Sequence, residues 1–156
     1  IRFNDVSDLR GVVDAVRGKV NWREDPFFQL WDVVLPPLLF LEAKGDDCDG
    51  HGMYFAQAIK FALPGYEGRI VSYLAGDFRK SHHFAVAEAP GGNLYAIQPY
   101  PSAKQDQSLD PLVAEPFSTY EQAACEIASW YNTRVVAFDV RDPHWKTIHA
   151  WRRPKP

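Results

Sequence analysis

His83-Phe84-Ala85-Val86-Ala87-Glu88-Ala89, then Pro90-Gly91-Gly92, then Asn93-Leu94-Tyr95-Ala96-Ile97-Gln98: this stretch decides the fold. Two short runs of apolar and aromatic residues flank a Pro/Gly cluster, the pattern of an antiparallel hairpin. With Pro90 and Gly91 as a two-residue turn, Ala89 pairs with Gly92 and His83 stands directly opposite Gln98, with Cβ atoms about 5 Å apart on one face. That face carries the small side chains Ala85, Ala87 and Ala96, which would admit a helix closely. Phe84, Val86, Tyr95 and Ile97 fall on the other face, and His82 with them. A slip of one residue in the turn would undo the pairing of His83 with Gln98.

Upstream, Gly45-Asp46-Asp47-Cys48-Asp49-Gly50-His51-Gly52 runs into a segment whose apolar residues Phe55, Ala58, Ile59 and Ala62 recur at helical spacing. The spacing predicts a central helix over Asp49 to Leu63, stopped by Pro64-Gly65. A first helix is expected over Val6 to Arg17, a strand over Arg69 to Ala75, a helix over Thr119 to Tyr131 and a strand over Val135 to Val140. Asn21 to Lys44 is too punctuated by proline for one long element. Tyr100 to Phe117 reads as a long surface loop. The tail with His144, Trp145, His149 and Trp151 reads as an edge strand or packed tail. This order favours a single α+β domain over residues 1–156, helices packed on a mostly antiparallel sheet. No internal repeat or low-complexity tract interrupts it.

The chain has 156 residues, 46% hydrophobic and 24% charged, an ordinary balance for one domain with a sizeable core. A net charge of −3 supplies no field to gather nucleic acid, so no nucleic-acid partner is expected. The longest apolar run, Val33 to Leu41, is broken by Pro36 and Pro37, so no membrane span is expected. A soluble protein follows, with cytoplasm and secretion both open. The first residue is Ile, as in a trimmed product whose leader would be invisible. Cys48 and Cys125 lie far apart in unlike contexts, and two free thiols are expected rather than a disulfide framework. Cys125, inside a helical pattern, is expected to be buried.

The chemistry centres on Cys48. At the start of a helix its sulfur faces unpaired backbone N–H groups, which favour the thiolate, the reactive species. Asp46, Asp47 and Asp49 oppose this unless they turn away, so a histidinium partner is required. His83 is the candidate, and Gln98 opposite it would hold the imidazole's tautomer and tilt. Cys48, His83 and Gln98 are thus the expected catalytic set. No metal or other cofactor is expected: the acidic and histidine residues lack the short repeated spacings of zinc ligands and the alternating oxygens of a calcium loop.

These residues together resemble the transglutaminase-like superfamily of papain-type cysteine enzymes, which includes bacterial transglutaminase-like cysteine proteinases. The resemblance covers Gly45 to Pro99. The family's Gly-x-Cys-Asp at a helix start is similar to Gly45-Asp46-Asp47-Cys48-Asp49, with one additional residue between glycine and cysteine. Its histidine at the head of a strand matches His83, and its aromatic-x-Ile-Asp-Pro matches Tyr95-Ala96-Ile97-Gln98-Pro99, with Gln98 where Asp is usual. A neutral amide orients an imidazole but stabilises imidazolium less than a carboxylate does. The resemblance implies a papain/transglutaminase-like core and acyl transfer from an amide of a protein, peptide or peptidoglycan-type substrate through a Cys48 thioester. It also implies an oxyanion hole from the Cys48 N–H, with Gln29 or Trp31 as candidates for its second donor. A non-catalytic binding or structural module on the same fold is the alternative.

Overall fold

The computed structural model describes residues 9–18, 21–22, 45–46, 48–98, 112–113 and 115–154. In chain order its elements are α1 (Leu9–Arg17), β1 (Asn21–Trp22), β2 (Gly45–Asp46), α2 (Cys48–Ala62), β3 (Glu67–Ala75), a 3-10 turn (Phe78–Lys80), β4 (His82–Glu88), β5 (Leu94–Ile97), α3 (Tyr120–Trp130), β6 (Val135–Arg141) and β7 (Thr147–Arg152). Five strands form one antiparallel sheet in the order β5-β4-β3-β6-β7, while β1 and β2 make a short parallel pair just before α2. The α+β class expected from the sequence is what is found. Most of Asn21 to Lys44 and of Tyr100 to Phe117 lies outside the described residues.

Each helix follows from its apolar stripe. In α1, Leu9, Val12, Val13 and Val16 share one buried face and pack on α2. In α2, Phe55, Ala58 and Ile59 are almost wholly buried against Ala85, Ala87 and Ile97 of the sheet. Burying a side chain the size of Phe55 or Ile59 contributes about 1.5–3 kcal/mol each. The helix ends at the expected place, with Gly65 in the left-handed region at φ 84. Thr119 caps α3 by accepting from the Gln122 N–H, and Ala123, Ala124, Ile127 and Ala128 cover the opposite face of the sheet. Cys125, one residue off that stripe, points to solvent with a free thiol, and the expectation of burial is corrected. The sheet is therefore sandwiched, α1 and α2 on one side and α3 on the other.

The hairpin is where the sequence reading fails in detail. Ala89 N–H donates to the Asn93 carbonyl and Gly92 N–H to the Ala89 carbonyl, so the loop is three residues long, Pro90 to Gly92. Gly92 takes φ 85, the left-handed conformation of the bulge that closes such a loop. The reason lies in Pro90. A two-residue hairpin turn needs positive φ at its first central position, and the pyrrolidine ring fixes φ near −65°. The register is accordingly Ala85 with Ile97, Val86 with Ala96, Ala87 with Tyr95 and Glu88 with Leu94. Tyr95 and Ile97 face α1 and α2, and Ala96 faces α3, the reverse of the expectation for β5.

Candidate functional site

Adjacent histidines at the head of β4 point to opposite faces. His83 shares the α2 face with Ala85 and Ala87, as expected, and His82 shares the α3 face with Phe84 and Val86. The one-residue shift of β5 takes Gln98 away from the site expected for it. The fully buried Gln98 has its Oε1 2.8 Å and its Nε2 2.7 Å from His82 Nε2, and the Gln98 amide nitrogen also donates to the Tyr131 hydroxyl. The His82 ring lies edge-on to Tyr73 at 6.2 Å and tilted against Tyr131 at 5.3 Å. Burial pushes its pKa down to about 4; the bond to Gln98 works against this shift and the neighbouring His83 adds to it. His82 is therefore a neutral ring in a polar knot within the α3 layer.

His83 has different neighbours. In register, His83 pairs with Ser72 of β3, and Ser72 pairs with Asp139 of β6, so the three stand in a row across the α2 face. His83 Nδ1 is 2.7 Å from Ser72 Oγ. Asp139 Oδ2 is held by Arg141, whose Nη2 donates at 2.8 Å, while Asp139 Oδ1 is buried with no hydrogen-bond partner among the described residues. Arg141 lies 4.7 Å over the Trp145 ring, and Trp145 stands 5.9 Å from the His83 ring. Trp145 sits at φ 66 in the β6–β7 turn. Asp142 Oδ1 pins that turn by accepting from the His144 and Lys146 N–H groups, and Gln57 of α2 donates to the Pro143 carbonyl. Burial of Trp145 against Met53, Ala56 and Ile70 completes the wall. Ser72, Asp139 and Trp145 were not among the residues expected from the sequence. Strand register links Ser72 and Asp139 to His83, the β6–β7 turn brings Trp145 there, and no local motif carries either.

Two glycine-dependent contacts fix how α2 lies over this row. A Cβ on Gly52 would stand 3.5 Å from Ile70 and 3.7–3.9 Å from the Phe84 and Ala85 backbone. A Cβ on Gly68 would stand 1.8 Å from the Ala56 carbonyl oxygen, so helix and strand backbones touch there. Gly68 pairs with Ala87. The helix thus crosses the level of Ala85 at Gly52 and that of Ala87 at Ala56. Four helical residues rise about 6 Å and two strand residues about 6.6 Å, so α2 and β4 run in the same direction at matched pitch.

Beyond the helix start an open groove of about 390 Å³ crosses the sheet beside His83, floored by Ser72, Leu74, Ala137, Asp139 and Ala150. The helix begins at Cys48. The side chains of Cys48 and Asp49, together with Asp47, Gln29 and Trp31, lie outside what is described. Among the described residues, no three His, Cys, Asp or Glu side chains converge as metal ligands, and no helix is long and apolar enough to cross a membrane.

No protein-family model matches the sequence, and no curated protein does. Among solved structures the chain is similar to Legionella pneumophila LapG (EGTA-treated), at 15% sequence identity over 94% of this chain and 66% of that one, with a TM-score of 0.47. This chain thus spans just under two thirds of that protein's length.

Proposed function

We propose that this chain is a cysteine-dependent acyl-transfer enzyme on a papain- and transglutaminase-like core, a thiol hydrolase of amide or peptide bonds with Cys48 as nucleophile and His83 as base. The observation that carries this reading is the matched pitch of α2 and β4. One further step of four residues back from Gly52 reaches Cys48, and one further step of two back from Ala85 reaches His83. The same pitch carried one step further would bring the first residue of the helix to the level of the half-buried histidine, which supports pairing the two. The helix N-terminus favours the thiolate there, and the groove beside His83 offers room for an extended chain.

In this reading His83 takes the thiol proton, and the Cys48 sulfur bonds to the substrate carbonyl carbon. The tetrahedral oxyanion collapses, the C–N bond breaks, and His83 hands its proton to the departing amine. Water then attacks the thioester while His83 takes a proton from it. The C–S bond breaks, releasing the carboxylic acid and restoring the thiol. A protein, peptide or peptidoglycan-type amide suits these steps. Gln98, engaged with His82 and Tyr131, has no part in them.

The test is the rate of iodoacetamide labelling of native protein. Cys125 is exposed and would confuse the signal, so the measurement is made in a Cys125→Ser background. Cys48 should react at least ~10-fold faster than an ordinary thiol at neutral pH, lose that advantage in His83→Ala and keep it in His82→Ala. Equal rates with and without His83 would sink the catalytic reading and leave a binding or structural module.

A further inference from the structure

We infer that the residue holding the His83 imidazole in its working tautomer is Ser72, backed by Asp139, on the side of β4 away from Gln98. The inference rests on the Cys48–His83 reading above and supplies the orienting group which that reading lacks. In an imidazolium both ring nitrogens carry hydrogen, so whatever lies against Nδ1 in the thiolate–imidazolium pair has to accept. Ser72 Oγ is 2.7 Å from that atom and is able to accept. Its own hydroxyl hydrogen then needs an acceptor, and the strand register sets Asp139 directly across from Ser72. Directly opposed side chains on one face have Cβ atoms about 5 Å apart. Of the two Asp139 oxygens, Oδ2 is occupied by Arg141, while Oδ1 is buried with no partner among the described residues.

Asp139 Oδ1 accepts no hydrogen bond among the described residues, so the carboxylate acts on Ser72 through its charge, which favours the hydroxyl hydrogen turned toward β6 and the oxygen's lone pair turned toward His83. With Nδ1–H donating to Ser72, Nε2 keeps its lone pair for the Cys48 proton. If instead the hydroxyl donated to Nδ1, Nε2 would carry hydrogen in the neutral ring and the base would be blocked. Trp145, wedged between His83 and Arg141, limits tilting of the ring out of this line. Ser72 and Asp139 are positioning residues: neither needs to touch the substrate.

The experiment is the pH profile of Cys48 alkylation by iodoacetamide in the Cys125→Ser background, with thermal unfolding recorded for each variant. Ser72→Ala should lower the neutral-pH rate roughly tenfold and move the profile's midpoint upward, at little cost in melting temperature. Ser72→Thr, which keeps the hydroxyl, should restore the profile, and Ser72→Val, which has the shape of Thr without the oxygen, should not. Asp139→Asn should shift the profile the same way by a smaller amount. A profile unchanged in both Ser72→Ala and Ser72→Val, alongside a collapse in His83→Ala, would overturn the role of Ser72 and leave the Cys48–His83 reading standing. Indifference to His83→Ala would overturn that earlier reading instead.

Discussion

His82 and His83 are neighbours in sequence and live on two different surfaces. On the α3 face, His82 is enclosed by Tyr73, Tyr131 and a buried amide, and burial keeps its ring neutral. On the α2 face, His83 is half-buried beside a hydroxyl and an open groove, with a carboxylate one strand beyond the hydroxyl. The first setting makes a histidine a structural hydrogen-bonding ring. The second is the setting in which we propose that a histidine serves as a base. The alternation of a strand is enough to separate these roles by one residue.

The sharpest way to break the comparison is to lift α2 off its face. Gly68→Ala would put a methyl carbon 1.8 Å from the Ala56 carbonyl oxygen, a backbone atom that cannot rotate aside. The expected cost is about 3 kcal/mol or more, read as a lower urea midpoint. A midpoint unchanged from the parent would mean that the helix does not rest on Gly68.

Acid sharpens the comparison from the other face. His82 has a folded-state pKa of about 4 against about 6.5 in an unfolded chain, so as pH falls the unfolded state takes up the proton first. This stability is fully present above about pH 6.5 and is lost as pH falls toward 4, by at most about 3 kcal/mol. Urea midpoints measured from pH 7 to pH 4 should fall more steeply in the parent than in His82→Phe, which has nothing to titrate there. Parallel slopes would remove His82 as the cause.

The smallest effect belongs to Cys125. Its thiol, raised in pKa first by partial burial and then by Glu121, sits on the solvent side of α3 and holds no layer together. Cys125→Ser should change stability by less than about 0.5 kcal/mol. A larger loss in urea unfolding would show that this side of the helix is packed.

What was legible in the sequence was whatever short-range periodicity controls. The stripe Phe55, Ala58, Ile59 marks α2, Thr119 marks the start of α3, and Pro64-Gly65 marks a stop; all three hold. The assignment of His83, Ala85 and Ala87 to the helix face also holds, because alternation within one strand needs no partner. Gln98 was misplaced because its side depends on the length of a turn. The clue was present in Pro90, whose ring is incompatible with the two-residue turn assumed. Ser72 and Asp139 were invisible for another reason. They meet His83 through pairings of β3 with β4 and with β6, spanning more of the chain than any motif window.

The three-residue loop Pro90 to Gly92 therefore decides at a distance which face Gln98 joins, as a parity setting. Because side chains alternate, changing the loop by an odd number of residues exchanges every inward and outward residue of β5, while an even change leaves them as they were. Whether the amide at position 98 serves the α2 face or the α3 face is decided by a count of turn residues, with no change at position 98 itself. A chain of this architecture has two ways to alter which histidine is held: substituting a side chain beside it, or inserting a single glycine some fifteen ångströms or more along the strand, at about 3.3 Å per residue.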